Sequence, residues 1–421
     1  MVENNKKIPK RRFKQFKNAD AWEQRKLEDF GKSTGGTSIE SEFDELGKYK
    51  VISIGSYSET NQYTDQGIRA NKTKKTENRI LNKNNLTMIL NDKTASGNII
   101  GRVLLIDSDN SYIFNQRTER IEVYENEYLP EFLYQFLNAD NIRGKIICAS
   151  QGNTQIYVNW TSIRELTYEI PVLKDEQRKI ADLFNQLDNL IAFHQRKLNK
   201  LKTLKKAHLS EMFPAEGERV PKRRFSGFFD DWEQQKLGEI GTTYSGLSGK
   251  TKEDFGHGKA CFIPYMNIFS NPIIDLNDIE YVEIDEKQNE VKAGDVFFTT
   301  SSEIPEEVGM TSVIIENKPN TYLNSFCFGY RPIKSIDNYY LTYMLRSKSV
   351  RKSIAFLAQG ISRYNISKNK VMGIEVPLTT TNEQQRIGAF FRDLDHLIAL
   401  HQRKLEKLKN LKKAYLNELF V

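Results

Sequence analysis

Two stretches carry residues that could hold a phosphate, and neither has the spacing to do it. Gly31-Lys32-Ser33 ends as a phosphate-binding loop ends, but Lys26 stands where that loop needs its first glycine. Gly249-Lys250-Thr251 fails in the same way, with Tyr244 at the required glycine. Glu290-Val291-Lys292 and Glu316-Asn317-Lys318 hold the Glu-x-Lys found in many nucleases, an unsurprising chance match in a chain with 28% charged residues. Asn271-Pro272-Ile273-Ile274 lacks the second proline and the aromatic of an adenine-methylating box, and no glycine-rich cofactor loop accompanies it. The 5 histidines and 3 cysteines never approach zinc-ligand spacing. No catalytic, cofactor-binding or metal-binding residue is therefore assigned, and the chain is not expected to be an enzyme.

A different chemistry is better supplied. Base edges are read by Arg, Lys, Asn and Gln, while Lys, Ser and Thr meet phosphates. In the first half such groups cluster at Asn61-Gln62-Tyr63, from Arg69 to Lys75 with Lys72 and Lys74 between, and at Asn91-Asp92-Lys93. They cluster again at Asn115-Gln116-Arg117 and from Gln151 through Asn153 to Gln155. In the second half they fall at Lys250-Thr251-Lys252, from Thr299 through Thr300 and Ser301 to Ser302, at Asn324-Ser325 and at Ser362-Arg363-Tyr364. Each residue alone reads as a solvated loop position. The clusters gain weight because they recur at matching places in two halves of the chain.

The halves exist because the chain is written twice. Residues 176–213 and 383–420 align without a gap, with 24 of 38 positions identical. Pro9-Lys10-Arg11-Arg12-Phe13 recurs as Pro221-Lys222-Arg223-Arg224-Phe225. Trp22-Glu23-Gln24-Arg25-Lys26-Leu27 recurs as Trp232-Glu233-Gln234-Gln235-Lys236-Leu237. The unit is roughly 205 residues, far beyond the ~20–50 of a solenoid repeat, so it is a duplicated module.

Each copy ends in a long helix. Ile180, Leu183, Phe184, Leu187, Leu190, Ile191, Leu198, Leu201 and Leu204 follow a 3–4 spacing close to a heptad seam. Asp175 and Asn382 are the expected N-caps, and Pro214 stops the first helix. About 38 residues at ~1.5 Å each make a rod near 55–57 Å. A striped helix of that length needs a partner, and its own duplicate, run antiparallel, is the nearest one. That pairing returns Phe420 to the region of Pro9, as Met212 leads into Pro221, and makes the chain nearly circular. Packing of each helix on its own domain is the alternative. Lysines 197, 200, 202, 205 and 206 and their copies at 404, 407, 409, 412 and 413 read as the wet face. His194 and His401 read as core or inter-helix hydrogen-bonding residues.

The middle regions, 32–168 and 242–374, have diverged, yet a skeleton aligns. Asn84 to Leu90 sits where Gly294 to Thr300 sits, Gly101 matches Gly309, and Gln151-Gly152 matches Gln359-Gly360. Short β-branched and aromatic runs read as strands, with one amphipathic helix across 128–138 and 337–348. The predicted fold class is α+β: two tandem α/β domains separated by two long helices in an antiparallel coiled coil, pseudo-two-fold and nearly circular. Like rods imply two copies of one docking partner; unlike heads imply two different things recognised.

Composition sets the bounds. The 421 residues carry 62 Lys+Arg against 55 Asp+Glu, a net charge of +7. The pI is near 8.9 and mean hydropathy −0.59. This permits a polyanionic partner without demanding one. No run approaches the ~18 apolar residues of a membrane span. The basic N-terminus is followed by no apolar stretch, so no signal peptide is expected. Three widely spaced cysteines suit a reducing cytoplasm.

Taken together, PKRRFSGF (221–228), the W-E-x-x-K-L pair, GDVFFTTSSEIPEEVGM (294–310) and the helix pattern E-Q-x-x-I…L-D-x-L-I-A-x-H-Q-R-K-L resemble the specificity subunit of type I restriction–modification systems. The resemblance covers nearly the whole chain. It implies a first DNA target-recognition domain over 1–174, a central helix over 175–213, a second recognition domain over 214–374 and a distal helix over 375–421. It implies that each domain reads half of a bipartite site in double-stranded DNA. It implies two modification subunits docked on the helices and two restriction subunits beyond them. S-adenosylmethionine, ATP and Mg would belong to those partners. The first copy departs from the pattern at Phe13-Lys14-Gln15-Phe16, which lacks the glycine of Phe225-Ser226-Gly227-Phe228, and at Asn84-Asn85, where the second has Gly294-Asp295. Two rival readings remain: a non-catalytic scaffold joining two proteins without DNA, and a methyltransferase–specificity fusion, which the missing cofactor loop disfavours.

Overall fold

A computed structural model describes residues 8–421. The chain divides into two compact units, one running up to His194 and including Lys404–Val421, the other Gln195–Arg403.

In the first unit, strands Gly31–Gly35, Thr118–Val123, Leu86–Ile89 and Val103–Leu105 form an antiparallel sheet in that order. A second sheet orders Arg69–Ala70, Tyr49–Ile52, Tyr112–Phe114 and Ile80–Leu81, with the middle pair parallel. All four residues of Leu86–Ile89 are buried because both faces of that strand are covered. Leu86 and Met88 meet Phe132 and Phe136 of helix Pro130–Leu137. Ile89 turns the other way, toward Ile52 and Phe114. A two-stranded ribbon of Glu23–Lys26 and Thr167–Ile170 closes the domain.

The second unit repeats this plan. Gly241–Ser245, Cys327–Pro332, Val296–Thr299 and Thr311–Val313 form the main sheet. Helix Asn338–Leu345 covers it. Phe255–Ile263 runs parallel to Thr321–Leu323 and antiparallel to Glu280–Val282. The predicted helices at 128–138 and 337–348 are found at Pro130–Leu137 and Asn338–Leu345. A second helix follows each, Asp140–Cys148 and Lys348–Phe356, which the sequence pattern did not separate.

The long helices are Lys174–Glu211 and Thr381–Leu419, and each contributes one part to each unit. In the first unit they run antiparallel: Asp188 bonds Lys412 at 2.6 Å, and the Phe184 and Phe420 rings lie 5.6 Å apart. In the second unit Lys205 bonds Asp395 at 2.6 Å and His208 meets Phe390 edge-on at 5.1 Å. The joint at the chain ends is also repeated. The Arg223 N–H donates to the Glu211 carbonyl at 2.9 Å, across a covalent connection; the Arg11 N–H donates to the Glu418 carbonyl at 2.9 Å, across none.

Three expectations change. Asp175 and Asn382 lie inside the first helical turn, since the helices begin at Lys174 and Thr381, so neither is the cap. Lys205 and Lys412 leave the wet face because each pairs with an aspartate of the opposite helix. Asn84 is no real departure: it takes φ 68° where Gly294 takes 90°, a left-handed conformation that asparagine tolerates. Asn85 and Asp295 then accept equivalent N–H groups, from Asn82 at 3.0 Å and Lys292 at 2.8 Å.

Candidate nucleic-acid interface

In the first unit three loops converge at the end of strand Leu86–Ile89. The Leu90 N–H donates to the Arg117 carbonyl at 2.8 Å, and the Leu90 carbonyl accepts the Val158 N–H at 2.9 Å. Asn91–Asp92 pairs antiparallel with Ile156–Tyr157. Gln151 and Tyr157 exchange both backbone bonds at 2.9 Å, closing the hairpin between them. Gly152 makes that hairpin possible, with φ 105° and the Gln155 carbonyl 2.1 Å from where a Cβ would sit. The 92–99 loop folds over its own buried aspartate. Asp92 accepts the N–H groups of Thr94 and Ile99, each at 2.9 Å; burial opposes its charge, and these donors hold its pKa low.

The second unit builds the same junction. The Thr300 N–H and Oγ1 both donate to the Phe326 carbonyl, at 3.1 and 2.8 Å, and the Thr300 carbonyl accepts the Ile366 N–H at 3.0 Å. Ser301–Ser302 pairs with Tyr364–Asn365. Gln359 and Asn365 exchange both backbone bonds at 2.9 Å, and Gly360 takes φ 147° with the Arg363 carbonyl 2.0 Å from its absent Cβ. Position by position, Leu90 answers to Thr300, Arg117 to Phe326, and Asn153 to Ile361.

The candidate residues sort by what their side chains already do. Asn115 is buried: its Oδ1 accepts the Ile39 and Gln116 N–H groups at 3.1 and 2.8 Å, and its Nδ2 donates to Glu40 at 2.9 Å. Ser38 and then Asn115 hold the Glu40 carboxyl down to about 2. Asn324 is the counterpart, donating to the Ile263 carbonyl and accepting the Phe326 N–H, both at 2.9 Å. Asn61 accepts from Arg102 and, on its carbonyl, from the Tyr134 hydroxyl at 2.8 Å. Tyr63 packs edge-on against Tyr112 at 5.3 Å. Arg69 is forked onto Asp65 at 2.9 and 3.0 Å, which holds that carboxyl near 2. Lys250 is paired with Asp285 at 3.0 Å. These side chains hold the loops.

The exposed set is smaller. Gln62, Lys93, Arg117, Gln151, Asn153 and Gln155 are exposed and make no side-chain hydrogen bond among the described residues. Lys72 and Lys74 are exposed on the turn after Arg69–Ala70, in the other sheet. That turn reaches the cluster at one remove, through Lys75 on Ser41 at 3.0 Å and Glu40 on Gln116 at 3.1 Å. In the second unit Lys252 is exposed and Arg363, also exposed, leans on Ser301 Oγ at 3.0 Å. Ser302 accepts the Ile304 N–H at 3.2 Å, and Tyr364 is half-buried against the core. Thr300 borders a hollow of about 340 Å³ shared with Ser245, Ser248, Ser325 and Lys368.

Three exposed apolar side chains were missed: Phe326 at 60%, Ile361 at 96% and Ile304 at 48%. Their only signal was position, since Phe326 and Ile361 stand where the first unit has Arg117 and Asn153. Among the described residues no cluster of His, Cys, Asp and Glu could hold a metal ion. Among them also, no helix is long and apolar enough to cross a membrane.

The family model described as "Type I restriction modification DNA specificity domain" matches twice, over residues 19–203 and 229–410. The chain belongs to this family. It is 23% identical over 411 residues to the type I restriction enzyme MjaVIII specificity subunit of Methanocaldococcus jannaschii, covering 94% of this chain and 92% of that one. It is 25% identical over 331 residues to the putative MjaX specificity subunit of the same organism, covering 75% and 71%. The fold resembles the crystal structure of the type I S subunit from M. genitalium, with TM-score 0.62, 16% identity and coverage of 98% and 99%. It also resembles a chain from work on assembly and conformational transition of the type I R-M system, with TM-score 0.53, 16% identity and coverage of 94% and 97%. Specificity subunits are the non-catalytic members of these systems, and DNA sequence recognition is their role.

Proposed function

We propose that this chain reads an asymmetric bipartite site in double-stranded DNA, with 1–174 reading one half and 214–374 the other. The observation that carries this reading is the pair of three-loop junctions. One backbone design is built twice, from Leu90, Arg117 and Val158 and again from Thr300, Phe326 and Ile366, with different side chains at its tips. A rigid mount with exchangeable tips suits two readers of unlike sequence.

The helical parts, 175–213 and 375–421, dock two modification subunits. In the first unit Leu190, Phe193 and Leu411 are 46%, 44% and 41% exposed; in the second, their repeats Leu397, Leu400 and Leu204 are 43%, 38% and 40% exposed. Two equal apolar patches fit two copies of one partner. S-adenosylmethionine, ATP and Mg act in the modification and restriction subunits, and the complex works in the cytoplasm, where DNA is reached.

Exchange of 32–168 for the matching region of another family member tests the reading. Mapping methylated adenines in cells carrying the parent and the chimera should show one half of the modified site replaced and the other retained. Change in both halves, or in neither, would remove the assignment of one domain to one half-site. Absence of a salt-dependent shift of duplex DNA by the parent chain would favour a protein scaffold.

A further inference from the structure

We infer that the second domain reads its half-site partly by apolar contact, with Phe326 and Ile361 meeting thymine methyl groups in the major groove. The inference rests on the reading of the loop junctions as the DNA-facing edge. At that edge the first domain offers the guanidinium of Arg117 and the amide of Asn153, groups that hydrogen-bond to bases. The second offers a phenyl ring 60% exposed and a sec-butyl group 96% exposed.

Single exposed apolar side chains are ordinary, and Leu46, Phe229 and Phe356 are as open elsewhere; what sets these two apart is their place at the junction, at the positions that Arg117 and Asn153 take in the first unit. Here each is also held still. The Phe326 carbonyl accepts two bonds from Thr300, and its N–H is fixed by Asn324. Ile361 follows Gly360 at the tip of the hairpin that Gln359 and Asn365 close. A pre-ordered tip gives up little conformational entropy on contact. The surroundings choose the occupant. Arg363, on the same hairpin as Ile361, and Lys368, which borders one hollow with Thr300 and Ser325, are exposed and suit phosphates. Apolar tips on a junction that also carries cations call for a polyanion with an apolar group on its readable face. Among the four bases, only thymine presents one in the major groove, its C5-methyl.

The test uses the chain assembled with its modification subunits and a duplex carrying the site found by adenine-methylation mapping. Each dT of the second half-site is replaced in turn by dU, which removes the methyl and nothing else. At one or two positions affinity should fall about fourfold, the worth of one buried carbon. Phe326→Ala or Ile361→Ala should show a similar loss and no further loss with dU at that position. A second half-site without thymine on either strand overturns the inference. So does binding indifferent to every dU, or a Phe326→Ala loss that dU adds to in full, as insertion between base steps would produce. Arg117→Ala is the control for the underlying reading. If it weakens binding while Phe326→Ala and Ile361→Ala do not, the apolar contact fails and the DNA-facing edge stands; if none weakens binding, the edge itself is misplaced. Both apolar side chains point into solvent, so an unchanged unfolding midpoint shows that these variants are folded.

Discussion

Arg12 fastens the first opening motif to the central helix with a fork: its Nε and Nη2 reach Glu176 at 2.7 Å each, and the side chains are 6% and 1% exposed. Arg224 does the same to Glu383 at 2.7 and 2.8 Å, with 12% and 0% exposed. The sequence repeat announced the pair of arginines but not their partners, which lie 164 and 159 residues away. Removing one partner strands a buried charge. Arg12→Ala should therefore lower unfolding stability by about 3–5 kcal/mol, and urea melts measure it. A loss below ~1 kcal/mol, the ordinary worth of a surface pair, would show the fork to be solvated. Glu119 is the opposite case. Burial lifts its carboxyl from 4.5 to about 7, against the pull of Arg79 and Arg120. A carboxyl whose folded pKa is raised binds more protons folded than unfolded, so its cost appears as pH climbs from 4.5 through 7. Glu119→Gln should raise the melting temperature at pH 8 and leave it unchanged near pH 4.5. An equal shift at both values would mean that ionisation is not the source.

At the level of elements, the long helices were the most legible part of the chain. Their period, length and repetition follow from spacing alone; the apolar stripe demanded a cover but left open whether the duplicate or the helix's own domain supplies it, and in the first unit both do, with Ile180 and Phe184 in the domain core and Asp188 paired to Lys412. What spacing did not reveal is which stripe positions stay open. Leu190 and Leu397 sit in the same heptad logic as Leu187 and Leu394, which are 5% exposed each. Leu190→Asp with Leu397→Asp should leave the fold intact and cut co-purification of the modification subunit by tenfold or more, since each buried leucine is worth about 1.5–3 kcal/mol. Unchanged assembly would move the docking surface elsewhere. The short strands were harder. Leu86–Ile89 is buried throughout, so it shows no alternation, and its covering helix lies more than forty residues along the chain. Local propensity carries no information about such a partner.

For the molecule as a whole, duplication explains most of what is repeated: two forks, two three-loop junctions, two matching apolar patches. Exchange of one middle region is expected to alter one half-site because the backbone bonds that build each junction join residues of one unit. The repeat, the long helices, the α+β class and the family were all present in the one-dimensional string, because repetition and period survive without coordinates. The choice among polar loop residues was not. Asn115 and Asn324 look like base readers in sequence, yet backbone N–H groups claim their amides; Phe326 and Ile361 stood in no sequence cluster and are open to solvent. A side chain's type is written in the gene, but its direction is set by which distant backbone groups it can satisfy, and only the folded chain brings those groups within reach.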